Sequence, residues 1–269
     1  MNAKPDHVSR FTFHTPRTCR DEATRRRITR SFLLSTFCFL LSAFPLPAQV
    51  WITNSITISE TNAIYDGQDI VISNATVSID GSHAFNSLLL TNGAVLTHSP
   101  CTTTNTHRLD LFVTNSVVVS ADSAIDVSGK GYLPGYTTGN TTNGAASGAS
   151  GGSFGGLGGN SGGSGSPWPG TANAVYGDYA DPDDWGSGGG ILLPAASAGG
   201  GLVRLVAEVL RLDGKLWANG GDGLRGVGSG GGIYVAVSNL IGSGSIQANG
   251  DGSTYGGGGG GRIAVHAHN

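Results

Sequence analysis

Cysteine is scarce in this chain: three in 269 residues. Two of them, Cys19 and Cys38, lie in the first 48 residues, and Cys101 stands alone beyond them. No disulfide can therefore close within the remainder, and its stability must come from packing and hydrogen bonds. A long apolar run is lacking as well. SFLLSTFCFLLSAF at 31–44 has 14 residues, short of the roughly 20 that a membrane-spanning helix needs. Positive charge is sparse: no Lys or Arg occurs between Lys130 and Arg204. Beyond residue 48 there are 7 Lys and Arg against 15 Asp and Glu, so 7 − 15 gives a net charge of −8. Such a surface argues against nucleic acid as a partner and suits a secreted protein. Glycine is missing only at first. Of 46 glycines, Gly67, Gly81 and Gly93 alone precede residue 129.

The order at the N-terminus is that of a secretory signal peptide: basic TRRRITR at 24–30, the apolar run, then PLPAQ with a break after Ala48. The expected division is a signal peptide over 1–48, N-terminal rungs over 49–131, a Gly/Ser-rich insertion over 132–198 and C-terminal rungs over 199–269. Export through the cleaved leader places the mature chain outside the cell or on its surface.

Internal repeats organise the chain beyond the leader. WITNSITIS at 51–59, VISNATVSI at 71–79, LLTNGAVLT at 89–97 and FVTNSVVVS at 112–120 each join two short alternating strands through a Ser-Asn or Thr-Asn pair. Asn tolerates a left-handed backbone, so Asn54, Asn74, Asn92 and Asn115 read as bends stacked in a ladder, with Asn239 their later counterpart. The C-terminal part repeats at a fixed step of 30: Val203, Leu205 and Ala207 match Ile233, Val235 and Val237, then Ile263, Val265 and Ala267. Gly199–Gly201, Gly230–Gly232 and the run 256–261 fall in one slot before each first strand. Stacked backbones at a tight corner would require glycine there, both for close approach and for positive φ. Repeats that stack in parallel remove exposed edges. The expectation is an all-β, right-handed parallel β-helix (a solenoid) with a long glycine-rich loop insertion. A Greek-key sandwich, the alternative for short regular strands, has no reason to repeat the same residue every 30 positions. The last strand lacks a following rung, so the expectation there is further chain or a capping partner.

The units GSGGGIYVAVSNLIGSGSIQANG and GGGGGGRIAV resemble the repeats of adhesin-like and autotransporter-like parallel β-helix proteins, large secreted or surface-attached bacterial proteins. That resemblance implies a stalk or adhesive surface, and it covers 199–269 better than 51–128. Between Tyr132 and Ala198 the pattern breaks into GASGGSFGGLGGNSGGSGSPWPG, yet six of the 11 Trp and Tyr residues lie there. The segment is expected to leave the rungs as a loop and pack back through its aromatics.

Candidate chemistry is thin. Parallel β-helices also host pectin lyases and polysaccharide hydrolases, and hydrolysis requires paired carboxylates across a groove. Asp183-Asp184 is the adjacent acidic pair beyond the leader, and no Gly-His-Gly occurs. Arg108, Arg204 and Arg262 read as outward, solvated side chains, and no catalytic residue is assigned. GDYADPDDWG at 177–186 brings Asp178, Asp181, Asp183 and Asp184 within seven positions, an oxygen-rich turn for which calcium is the candidate cation. Trp168, Tyr179 and Trp185 would then face outward as a stacking platform for sugar rings. The sequence therefore reads as a non-enzymatic structural or adhesive module that contacts polysaccharide. The alternative is a carbohydrate-active enzyme whose site is degenerate or lies elsewhere.

Overall fold

The structure, a computed structural model, describes residues 49–162, 167–191 and 195–268. They belong to one unit, residues 45–269. The expected signal peptide, 1–48, lies outside the described residues.

Fourteen strands form among the described residues. β1 (Gln49–Ile52), β2 (Ile56–Ile58), β3 (Asp69–Ser73), β4 (Thr76–Ile79), β5 (Gly81–Phe85), β6 (Ser87–Thr91) and β7 (Val95–Thr97) come from the glycine-poor part. β8 (Leu109–Val119) and β9 (Ala124–Asp126) close it. After a long strandless interval come β10 (Leu202–Leu212), β11 (Lys215–Trp217), β12 (Gly232–Ile241), β13 (Ser245–Gln247) and β14 (Arg262–Ala267).

All named strands pair in parallel. One sheet runs β1-β3-β6-β8-β10-β12-β14 with β5 also on β8, and the other runs β13-β11-β9-β7-β4-β2. Period-two alternation decides which side chains meet between the sheets. Val203, Leu205, Leu210 and Leu212 of β10 join Ile58, Val77, Leu96, Ile125 and Leu216 of the second sheet in one apolar core. Complete burial of such a side chain contributes roughly 1.5–3 kcal/mol.

The step of 30 survives as strand register. Leu205 lies beside Val235, and Val235 beside Val265. Leu216 likewise lies beside Ile246. Leu205 and Val235 are wholly buried, whereas Val265 is 39% exposed because β14 is the edge of its sheet. The outer side of that edge is covered: Arg262 donates from Nε and Nη2 to Tyr176 O (2.8 and 2.7 Å), and Ala264 is buried.

The uniform β-helix solenoid with a loop insertion is not what forms. The chain makes two sheets of eight and six strands, and the larger one branches. β8 takes β5 along Leu109–Val113 and β6 along Val117–Val119. Between those halves the register to β10 slips, with Thr114 and Asn115 both opposite Glu208, so the expected bend at Asn115 is a bulge inside a continuous strand. The Asn ladder divides accordingly. Asn74 and Asn92 take left-handed φ values of 51° and 55° at equivalent bends, whereas Asn54 has no positive φ and follows the last β1–β3 pair, Ile52 with Ile72. Asn115 instead stacks on Asn86, donating from Nδ2 to Asn86 Oδ1 at 2.7 Å. Asn239 sits in β12 beside Val209, exposed.

Among its described residues, the segment 132–198 does not stand off from the strands as a loop. Gly131 N donates to Gly199 O (2.7 Å), Gly186 N to Gly200 O (2.9 Å) and Gly200 N to Ser229 O (2.8 Å). Further along, Gly152 N donates to Val227 O, Gly259 N to Gly152 O and Gly230 N to Gly259 O, each at 2.9 Å. The middle segment and the three glycine corners thus build one hydrogen-bonded slab. A β-carbon on Gly231 would fall inside the van der Waals shell of Gly201 O, so close approach is the reason for glycine there. Positive φ is not: within 256–261 no residue has it.

Candidate functional site

A cleft of about 350 Å³ opens where the first turns of the sheets meet the segment around Trp185. Ser59, Glu60 and Thr61 form one side, Asp80 and Gly81 the floor, and Thr106, His107, Arg108 and Trp185 the rest. Local structure fixes most of these groups. Ser99 clamps Asp80, donating from N to Oδ1 and from Oγ to Oδ2, both at 2.7 Å. His107 Nδ1 lies 3.6 Å from the same Oδ2. Arg108 reaches Asp110 (3.5 Å), which also accepts from Ser82 Oγ at 2.6 Å. Gly81, at φ 84°, lets the Glu60 side chain pack directly over the backbone, where a β-carbon would lie 2.6 Å from Glu60 Cβ. The Glu60 carboxylate itself makes no hydrogen bond or ion pair to the described residues.

Trp185 is held from two sides. Its Nε1 donates to His107 O at 2.7 Å, and its ring packs on Tyr132 at 5.8 Å with a 56° tilt. Tyr132 in turn donates to Asp184 Oδ1 at 2.7 Å, and burial beside that carboxylate raises its pKa. The Trp185 ring is half-buried and borders the cleft.

The sequence-derived sites separate. Asp181 pairs with Arg204 at 2.7 Å, so the neutralising charge comes from β10. Asp184 accepts from Tyr132 and from Thr138 Oγ1 (2.7 Å), Asp178 caps Ala180 N (2.7 Å), and Asp183 is exposed. Four carboxylates converging on calcium are therefore not found. Among the described residues no group of three or more His, Cys, Asp and Glu side chains is placed to hold a metal ion. The aromatic platform also divides. Tyr179 is exposed and apart, while Trp168 stacks under the Arg225 guanidinium (3.6 Å) and meets Tyr255 edge-on at 5.1 Å. Only Trp185 of the three lines the cleft. Sequence reading missed its companions because Glu60, Asp80 and His107 come from separate turns with no shared spacing.

Arg204 and Arg262 are bound rather than free: Arg204 also donates to Pro182 O (2.9 Å) and lies 4.4 Å over the Tyr234 ring. Other titratable groups are structural. His98 is buried between two backbone partners, Ser99 O at Nδ1 (2.7 Å) and Leu202 N at Nε2 (3.2 Å). Those partners fix the neutral form with the proton on Nδ1, and burial lowers its pKa to about 4. Cys101 is buried and its thiol is pushed up to about 11 by burial, which leaves it an inert thiol. No helix among the described residues is long and apolar enough to cross a membrane.

No protein-family model matches the chain, nor does any curated protein or solved structure.

Proposed function

We propose that this is an extracellular, non-enzymatic structural or adhesive module that contacts polysaccharide, of the kind the adhesin-like resemblance implies. The observation that carries the reading is the cleft beside Trp185. It offers an aromatic ring in fixed orientation, hydroxyls from Ser59, Thr61 and Thr106, and charged groups at the floor and rim. Sugars are recognised by that mixture: C–H faces stack on an aromatic ring, and hydroxyls exchange hydrogen bonds with side chains. The densely hydrogen-bonded glycine slab suits a load-bearing role, since many of its close contacts are between backbones and leave little to rearrange.

Co-sedimentation of the secreted chain with insoluble polysaccharides tests the reading, with retention expected and loss of all retention overturning polysaccharide contact. A second reading has one specific support: Glu60 and Asp80 flank Gly81 in the same cleft, as two carboxylates would in a hydrolase. Against it, both Asp80 oxygens are held by Ser99. Release of reducing ends from the same polysaccharides would establish that second reading in place of the first.

A further inference from the structure

We infer that the Trp185 cleft selects sugar rings that carry no carboxylate or sulfate, taking neutral or amino-bearing pyranoses and rejecting uronate chains. The inference rests on the polysaccharide reading above and adds to it the chemical class of the ligand.

The ring face is the first half of the argument. Trp185 Nε1 is already committed to His107 O, so the indole has no donor left for a sugar hydroxyl. It can offer only its π-face, which favours the C–H side of a pyranose and says nothing about charge. Charge must come from the other walls. Arg108 is the cleft's guanidinium, and it already faces Asp110 at 3.5 Å. Asp80 is saturated by Ser99 and approached by His107. Glu60 remains: an exposed carboxylate at the rim, without a partner among the described residues.

A free carboxylate is a strong acceptor for vicinal hydroxyls and stronger still for an ammonium group. It repels a uronate, and the surroundings reinforce that. Residues 49–131 carry 2 Lys and Arg against 7 Asp and Glu, so 2 − 7 gives −5, and Asp183 and Asp184 adjoin Trp185. A cleft in a field of one sign concentrates ligands of the other sign and excludes its own, an effect that salt weakens.

The test is calorimetry on the secreted chain with three probes: cellohexaose (neutral), a glucosamine hexamer (amino-bearing) and hexagalacturonate (acidic). At low ionic strength the expected order is glucosamine hexamer, then cellohexaose, with hexagalacturonate at least ~10-fold weaker, the gap shrinking in ~0.5 M salt. Glu60→Gln, which removes the charge at an exposed position and keeps the side chain's length, should narrow the neutral-to-acidic gap by about 3-fold or more and should weaken the glucosamine hexamer more than cellohexaose. Trp185→Ala should lose binding of all three, and Trp185→Phe should retain it. Hexagalacturonate binding as tightly as cellohexaose, or Glu60→Gln leaving the gap unchanged, overturns the selectivity. A folded Trp185→Ala variant that still binds cellohexaose as before overturns the site. If the chain sediments with polysaccharide while none of the hexamers binds, the cleft is wrong and the broader reading stands; if neither occurs, both fall.

Discussion

The two sheets and the glycine slab hold together by opposite means. Between the sheets, stability comes from side chains: Leu205, Val235, Ile125 and Leu216 fill a shared interior. In the slab, side chains are what must be kept out, and Gly152, Gly186, Gly200, Gly230 and Gly259 bring backbone against backbone through N–H to O bonds of 2.8–2.9 Å. The first arrangement loses stability when a side chain is removed or charged, the second when one is added. A glycine-rich stretch in this chain can thus be as specific as a leucine column: a β-carbon on Gly152, Gly186, Gly200, Gly230 or Gly259 would fall on a backbone carbonyl.

The comparison breaks hardest in the sheets. Val235→Asp buries a lone carboxylate among Leu205, Val265 and the core, and should cost more than ~4 kcal/mol, unfolding the C-terminal strands. Limited proteolysis would reveal it, and a variant as resistant as the parent would refute the register. The slab's counterpart is Gly231→Ala, whose β-carbon meets Gly201 O; forcing the backbones apart should cost about 3 kcal/mol. Gly67→Ala is its control. Gly67 has open space but φ 73°, so only strain of roughly 1–2 kcal/mol should appear in thermal melts. Equal losses at the two glycines would mean that conformation, rather than close approach, governs the slab.

His98 joins the two regions, since its Nε2 accepts from Leu202 N where β10 leaves the slab. Its folded pKa of about 4 lies below the ordinary value of 6.5, so the folded form binds fewer protons through that interval. Stability is therefore full above the unfolded pKa and falls as pH drops toward the folded one, by up to about 3 kcal/mol. Melting at pH 7 and pH 4.5 should show that loss, and His98→Gln should remove most of the step.

Within the slab some polar side chains take the place of backbone partners, among them Ser150, Ser153, Ser161 and Asn173. The two N–H donors of Asn173 are shared among Ser153 O, Ala174 O, Thr137 Oγ1 and Ser187 Oγ, which lie 2.9–3.2 Å from Nδ2, and its Oδ1 accepts from Ser153 N at 2.7 Å. Asn173→Ala removes the partner of Ser153 N, Ser153 O and Ala174 O, while Thr137 and Ser187 keep each other at 2.8 Å, and should cost about 1–3 kcal/mol in urea unfolding. The smallest effect belongs to Tyr179→Ala, within about 0.5 kcal/mol, because that ring is 79% exposed.

What the sequence determined by itself was pairing. Alternation told which face of β10 and β12 turns inward, and the step of 30 told which residue lies beside which through β14, because parallel register repeats with the sequence period. The tight bends at Asn74 and Asn92 were legible for the same local reason: Asn tolerates left-handed φ. Only the tertiary structure decided the rest. Asn115 looked like another bend, but β8 runs on past it because β5 and β6 lie along its two halves. The glycine segment looked like a loop, since a residue without a side chain carries no pattern to show what it packs against. The cleft was hidden because Glu60, Asp80, His107 and Trp185 are scattered along the chain, and nothing but the folding of turns onto one another brings them together.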